Sequence, residues 1–194
     1  MTKKIISETE TEWLFKDLLE KKRYLNNDDI IVEFKDATSD MRVKKLLKNA
    51  SKSGSRQGIP DFILRTTKYP EIVFLVECKA DIKHHESLNR DKYNNYAVDG
   101  VLWYSSFVSK EYDVLSIALS GTENHYKISA FKQLQGTTEV EEVKSKELLT
   151  YDNYLRLIIE SEEVFNRDYS KLLSYANELN NDLHKKKIKE KQLF

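Results

Sequence analysis

Two apolar, β-branched runs lie close together in this chain: Gly58-Ile59-Pro60-Asp61-Phe62-Ile63-Leu64 and Ile72-Val73-Phe74-Leu75-Val76-Glu77-Cys78-Lys79. Between them Thr66-Thr67-Lys68-Tyr69-Pro70 carries turn residues, which predicts two strands joined as a hairpin. A turn centred near Tyr69 places Asp61 opposite Glu77. Two carboxylates facing each other across a hairpin repel, so a positive charge is expected between them, and a divalent metal ion is the obvious candidate. Side chains alternate along a strand, which puts Glu77 and Lys79 on one face and Cys78 on the other. Asp61, Glu77 and Lys79 are therefore expected to converge.

The flanks of the hairpin read as helices and further strands. Residues 7 to 24 predict a helix, with Ser7 and Glu10 in a capping-box pattern and an apolar stripe of Trp13, Leu14, Leu18 and Leu19. Glu8 and Glu12 lie one turn apart on it, Glu8 reading as a solvated charge that favours a helix N-terminus. Ile30 to Phe34 alternates as a strand. Residues 40 to 50 predict an amphipathic helix with Met41, Val43, Leu46 and Leu47 inward and Arg42, Lys44, Lys45 and Lys48 outward. From Met41 to Gly58 there is no acidic residue, and Lys52 and Arg56 sit among small Ser and Gly residues. Such a patch can follow a phosphate backbone into the adjoining hairpin.

Beyond Lys79, His84 and His85 are adjacent, a spacing that does not set both rings around one ion, and no cysteine pair accompanies them. Ser87 to Val108 predicts one long helix on the spacing of Leu88, Tyr93, Ala97, Val101, Tyr104 and Val108. Val114 to Ser120 and Lys127 to Phe131 predict a strand pair, Thr137 to Lys146 a charged connection, and Tyr151 to Glu163 and Tyr169 to Lys189 two helices. The whole is an α/β pattern.

Composition limits the functions available. With 32 basic and 32 acidic residues the net charge is zero, so any affinity for nucleic acid must be local rather than a bulk effect. One cysteine, the lack of a long apolar run and a first segment, Met-Thr-Lys-Lys-Ile-Ile-Ser-Glu, without an extended hydrophobic region lead us to expect neither a membrane span nor a secretory signal, and a cytoplasmic protein.

Pro60-Asp61, fifteen intervening residues and then Glu77-Cys78-Lys79, with a glycine two positions before the proline, resemble the PD-(D/E)xK nuclease signature. The surrounding Lys44 to Lys52, Asn89-Arg90-Asp91-Lys92-Tyr93 and Tyr96-Ala97-Val98-Asp99-Gly100 resemble the N-terminal nuclease region of fused restriction-modification polypeptides, in which an N-6 adenine DNA methyltransferase follows on the same chain. The resemblance extends over most of residues 8 to 180. It implies a restriction-endonuclease-like mixed β-sheet flanked by helices, with a nuclease core over residues 1–136 and a helical extension over 137–194 connecting to a methyltransferase region. In that family a glutamate on the first core helix often reaches the metal site, which makes Glu12 a further candidate ligand. Many such nucleases also carry a glutamine, three residues and a tyrosine in the helix after the motif. Here Asn89 and Tyr93 take those places and join Arg42, Lys44, Lys45, Lys48, Lys52 and Arg56 as candidate DNA contacts.

The resulting expectation is a Mg²⁺-dependent DNA endonuclease domain, with Mn²⁺ as a substitute ion. Asp61, Glu77 and the backbone carbonyl of Cys78 would hold one or two ions through hard oxygen ligands, and Lys79 would orient or help deprotonate the attacking water. Its partners would be double-stranded DNA, methyltransferase and target-recognition regions in a full-length protein, and a second copy if both strands are cut; no membrane is expected. A structure-selective repair or recombination nuclease would share the triad, and a non-catalytic DNA-binding module retaining the fold is the other alternative.

Overall fold

In the computed structural model, which describes residues 7–35, 38–52 and 58–191, the chain is a mixed α/β protein built on one six-stranded sheet. Helix α1 (Glu8–Lys21) leads into β1 (Ile30–Phe34), α2 (Met41–Leu47) and the hairpin of β2 (Phe62–Thr66) and β3 (Ile72–Lys79). A short 3-10 turn (Ile82–His84) and α3 (Ala97–Val108) precede β4 (Asp113–Thr122), β5 (His125–Gln133), β6 (Glu141–Val143) and α4 (Tyr151–Lys191). Sheet order follows chain order, and only β3 and β4 run parallel. That pairing requires a crossover, which α3 supplies.

The hairpin turn is closed by Thr66, whose hydroxyl accepts from the N–H groups of Lys68 and Tyr69 at 3.1 and 3.2 Å. Pairing of Phe62 with Val76 and Ile63 with Leu75 fixes the register, and carrying it one step outward sets Asp61 opposite Glu77. Every residue of β3 is buried, as expected of a central strand covered on both faces. Alternation divides its side chains between two cores. Ile72, Phe74, Val76 and Cys78 pack with α1 and with Tyr151, Tyr154, Leu155 and Ile158 of α4, whereas Val73 and Leu75 pack with Val43, Leu47 and the buried stripe of α3. Aromatic edges tie the first core together, with Phe74 and Tyr154 centroids 6.0 Å apart and Phe15 and Phe62 4.9 Å apart.

Several local expectations are corrected. Ser7 occupies the N-cap position of α1, but its side chain makes no capping bond; its carbonyl accepts from Glu10 N–H at 3.1 Å. Trp13 and Met41 are 62% and 75% exposed rather than inward. The helix expected from Ser87 starts at Ala97, because the buried Asp99 carboxylate accepts from the Ser87 and Lys92 N–H groups and the Ser87 hydroxyl, winding the preceding residues around it. The segment read as a connection contains β6, whose Val143 joins the core along with Leu148. Residues from 137 to 158 thus belong to the same compact unit as the sheet, and the second unit begins at Ile159. One helix, α4, replaces the two expected, and its exposed Tyr169, Leu172, Tyr175 and Leu179 lie in that second unit. Among the described residues no helix is long and apolar enough to cross a membrane.

Candidate active site

The site forms where the β2–β3 hairpin meets α1 and the segment after α2. Gly58 allows the approach to β2: a Cβ there would lie 2.5 Å from the Ala50 carbonyl oxygen and 2.8 Å from the Tyr104 ring. Asp61 then enters the ladder, its N–H donating to Val76 O and its carbonyl accepting from Lys35 N–H, both at 2.9 Å. Its carboxylate turns back across the hairpin, where Oδ2 accepts from Cys78 N–H at 2.6 Å. Helix α1 is pinned at the same end by Thr11, whose hydroxyl donates to the Gly121 carbonyl at 2.8 Å. That anchor sets Glu8 and Glu12 over the end of β3.

The charges meet in one buried cluster. Glu77 and Lys79 are 4% and 8% exposed, and Lys79 Nζ stands 3.0 Å from Glu77 Oε1 and 3.1 Å from Glu8 Oε1. Lys52 Nζ reaches the same Glu77 oxygen at 2.6 Å. Glu12, 2% exposed, is paired with Lys35 at 3.1 Å. Burial, reinforced by the Glu77 charge, pushes the Asp61 carboxyl up to about 7 despite the bond from Cys78. Burial opposes charge on Lys79 too, but Glu77 and then Glu8 outweigh it, so this ammonium is held more firmly protonated than a free lysine. At Lys52 burial prevails over Glu77 and the pKa falls. The Cys78 thiol, fully buried in the core behind the strand, is pushed up and stays protonated.

The structure therefore brings Asp61, Glu77, Lys79, Glu12 and Lys52 together at one end of the hairpin. Arg42, Lys44, Lys45 and Lys48 are exposed on or just after α2, with Arg42 lying 5.1 Å over the Tyr112 ring. Arg56 lies outside the described residues. Asn89 is exposed and Tyr93 half-buried, and neither is on a helix; Tyr93 stacks on Trp103 with centroids 4.4 Å apart. His84 and His85 do not act as a pair: His85 is buried between the Ser120 hydroxyl, 2.7 Å from Nδ1, and the Ser129 hydroxyl, 2.9 Å from Nε2. Sequence spacing did not indicate Lys52 as a direct partner of Glu77, Glu8 as a partner of Lys79, or Lys35 as the counter-ion of Glu12. All three are contacts between distant segments, and the surplus of lysines before the hairpin was the sole hint.

Chemically, the donor set suits a hard divalent cation. Buried Glu77 and half-buried Asp61 lie side by side where Asp61 ionises only reluctantly, and a cation would remove that cost. Among the described residues no three His, Cys, Asp or Glu side chains already form a cation cage, so the set is Asp61 and Glu77 with a main-chain carbonyl, while Glu12 is engaged by Lys35. The chain matches no protein-family model, no curated protein and no solved structure.

Proposed function

We propose that this chain is a Mg²⁺-dependent DNA endonuclease domain that hydrolyses phosphodiester bonds, of the kind found in restriction-modification enzymes. The observation that carries the reading is the placement of Asp61, Glu77 and Lys79 at one buried end of paired strands, with the Lys79 ammonium 3.0 Å from Glu77 Oε1. Asp61, Glu77 and the Cys78 carbonyl are the groups that would hold the ion, with Mn²⁺ as a substitute. When bound, Mg²⁺ neutralises charge on the scissile phosphate and acidifies the attacking water.

The side chains supply the rest. Glu77 and Glu8 fix the Lys79 ammonium and keep it protonated, so Lys79 acts as a donor that orients the water and stabilises charge growing on the phosphate, rather than as the base. The exposed Arg42, Lys44, Lys45 and Lys48 give duplex DNA a path towards the site through phosphate contacts. Methyltransferase and target-recognition regions would supply sequence choice in a longer polypeptide, and a second copy would allow both strands to be cut.

The test is single-turnover cleavage of a labelled duplex in Mg²⁺, beside duplex binding in Ca²⁺. Lys79→Ala should slow cleavage on the order of 10²-fold or more while binding persists, because its contribution is realised in the transition state. Wild-type protein that binds DNA but shows no Mg²⁺- or Mn²⁺-dependent cleavage would overturn the nuclease reading.

A further inference from the structure

The Lys52 ammonium occupies Glu77, one of the carboxylates that the nuclease reading assigns to a metal ion. Its Nζ is 2.6 Å from Glu77 Oε1, the oxygen that Lys79 also contacts at 3.0 Å. The side chain is 11% exposed, and its charge lies 4.3 Å over the Tyr104 ring. Helix α3 leaves room for it: a Cβ on Gly100 would fall 2.6 Å from Lys52 Nζ and 3.1 Å from Glu77 Oε1. Asn94 fixes the backbone by donating to the Lys52 carbonyl at 3.3 Å. Lys44, Lys45 and Lys48 of the same acid-free run remain exposed, whereas Lys52 turns in.

Two ammonium groups on one carboxylate oxygen leave little room for a third cation, since like charges at such separations repel strongly in a buried site. One of them must yield when a divalent ion takes Glu77. Lys79 is held by Glu8 as well as Glu77, and it extends from the central strand of the sheet. Lys52 extends from a loop on a four-carbon stem and can swing without disturbing the hairpin. Released from Glu77, that charge is free to pair with a DNA phosphate.

We propose that Lys52 is a built-in counter-cation, which competes with the divalent ion for Glu77 and passes to a DNA phosphate when that ion binds, thereby coupling metal binding to DNA binding. The proposal rests on the nuclease reading. It makes two effects of one residue opposite in sign: the Lys52 charge weakens metal binding in the DNA-free protein and strengthens duplex binding once metal is present.

Calorimetric titration of Ca²⁺ into DNA-free wild type and Lys52→Met tests the first effect. The variant should bind Ca²⁺ on the order of tenfold more tightly, within the usual range for coupling between two sites. In Ca²⁺ it should bind a duplex more weakly, with a salt slope smaller by about one phosphate contact. Equal or weaker Ca²⁺ binding by the variant, with normal binding by wild type, overturns the proposal and leaves the nuclease reading intact. Absence of Ca²⁺ binding in both proteins removes the metal site, and the nuclease reading falls with it. A measurement on wild type guards against a variant that fails to fold. Lysine acylation mapped by mass spectrometry should find Lys52 protected without metal, labelled in saturating Ca²⁺ and protected again when duplex is added, with Lys79 protected throughout. Persistent protection of Lys52 in saturating Ca²⁺ overturns the proposal.

Discussion

Two buried ionic clusters share strand β2 and its neighbours, and they solve opposite problems. Between β1 and β2, Glu33, opposite Ile63, is satisfied from all sides: Oε1 accepts from Ser39 N–H at 2.7 Å and Arg65 Nη2 at 3.0 Å, and Oε2 accepts from the Thr38 hydroxyl at 2.9 Å and Arg65 Nε at 3.1 Å. Burial pushes this carboxyl up, but the bonds from Arg65 and Ser39 more than compensate, and it lies below its ordinary range. Just before β2, opposite Glu77, burial and the Glu77 charge push Asp61 up to about 7. The first cluster stabilises the charges it holds; the second holds a charge where it is disfavoured. The Glu33 pairs are matched donor to acceptor, whereas at the candidate site the ammonium groups gather on Glu77 and burial still disfavours the Asp61 charge.

Breaking the matched cluster should give the largest loss of stability. Arg65→Met removes the fork that serves both Glu33 oxygens and leaves a carboxylate, 7% exposed, with an uncompensated charge. The expected loss is about 3 kcal/mol, the low end for breaking a buried pair because Arg65 is partly solvated. Urea unfolding measures it, and on the proposed function Mg²⁺-dependent cleavage by the folded variant should stay close to wild type. A loss below about 1 kcal/mol would mean that this network is no more than a surface ion pair.

His85 sharpens the contrast, being a buried titratable group that the fold keeps neutral. Burial, and then the Lys127 charge, lower its pKa to about 4, with Glu86 opposing. A base with a depressed folded pKa contributes stability that is present above its unfolded value of 6.5 and is lost as pH falls towards 4. Between pH 6.5 and about pH 5 this amounts to about 2 kcal/mol, at 1.36 kcal/mol per pH unit of differential protonation. Asp61 acts in the opposite direction over the same window, so the measurement is the difference between wild type and His85→Gln, whose amide can still bond Ser120 and Ser129. Parallel stability–pH curves for the two proteins would show that His85 titrates normally.

How much of this was legible in the sequence depended on how local the determinants were. The hairpin, its register and the placing of Asp61 opposite Glu77 were legible because turn residues and strand alternation act within twenty residues. The α/β order was legible for the same reason. The start of α3 was not, because Asp99 draws Ser87 and Lys92 around a buried carboxylate and overrides a helical spacing of apolar residues. Met41 and Trp13 fit an apolar stripe but face outward, since periodicity gives a stripe's direction and not its width. The ammonium of Lys52 on Glu77 spans 25 residues, and no spacing rule anticipates such a contact.

The smallest expected effect is the one that separates the two clusters most cleanly, because its sign differs. In metal-free protein at neutral pH, Asp61→Asn removes a carboxylate whose ionised form is disfavoured by burial and by Glu77, yet the amide oxygen can still accept from Cys78 N–H. Stability should rise by about 1 kcal/mol, well below the linkage limit of about 4 kcal/mol set by 1.36 kcal/mol per pH unit between 3.8 and about 7, because the polar amide is itself desolvated there. The sign also depends on pH. An acid whose folded pKa is raised costs nothing below its unfolded value of 3.8, and the full cost is reached only as pH passes about 7. The advantage of Asp61→Asn over wild type should therefore vanish on acidification and grow towards neutral pH, and added Ca²⁺ should cancel it by stabilising wild type alone. Urea unfolding at three pH values, with and without Ca²⁺, distinguishes the cases. If Asp61→Asn is destabilised at neutral pH without metal, then Asp61 is a matched structural charge like Glu33, and the contrast between the clusters collapses.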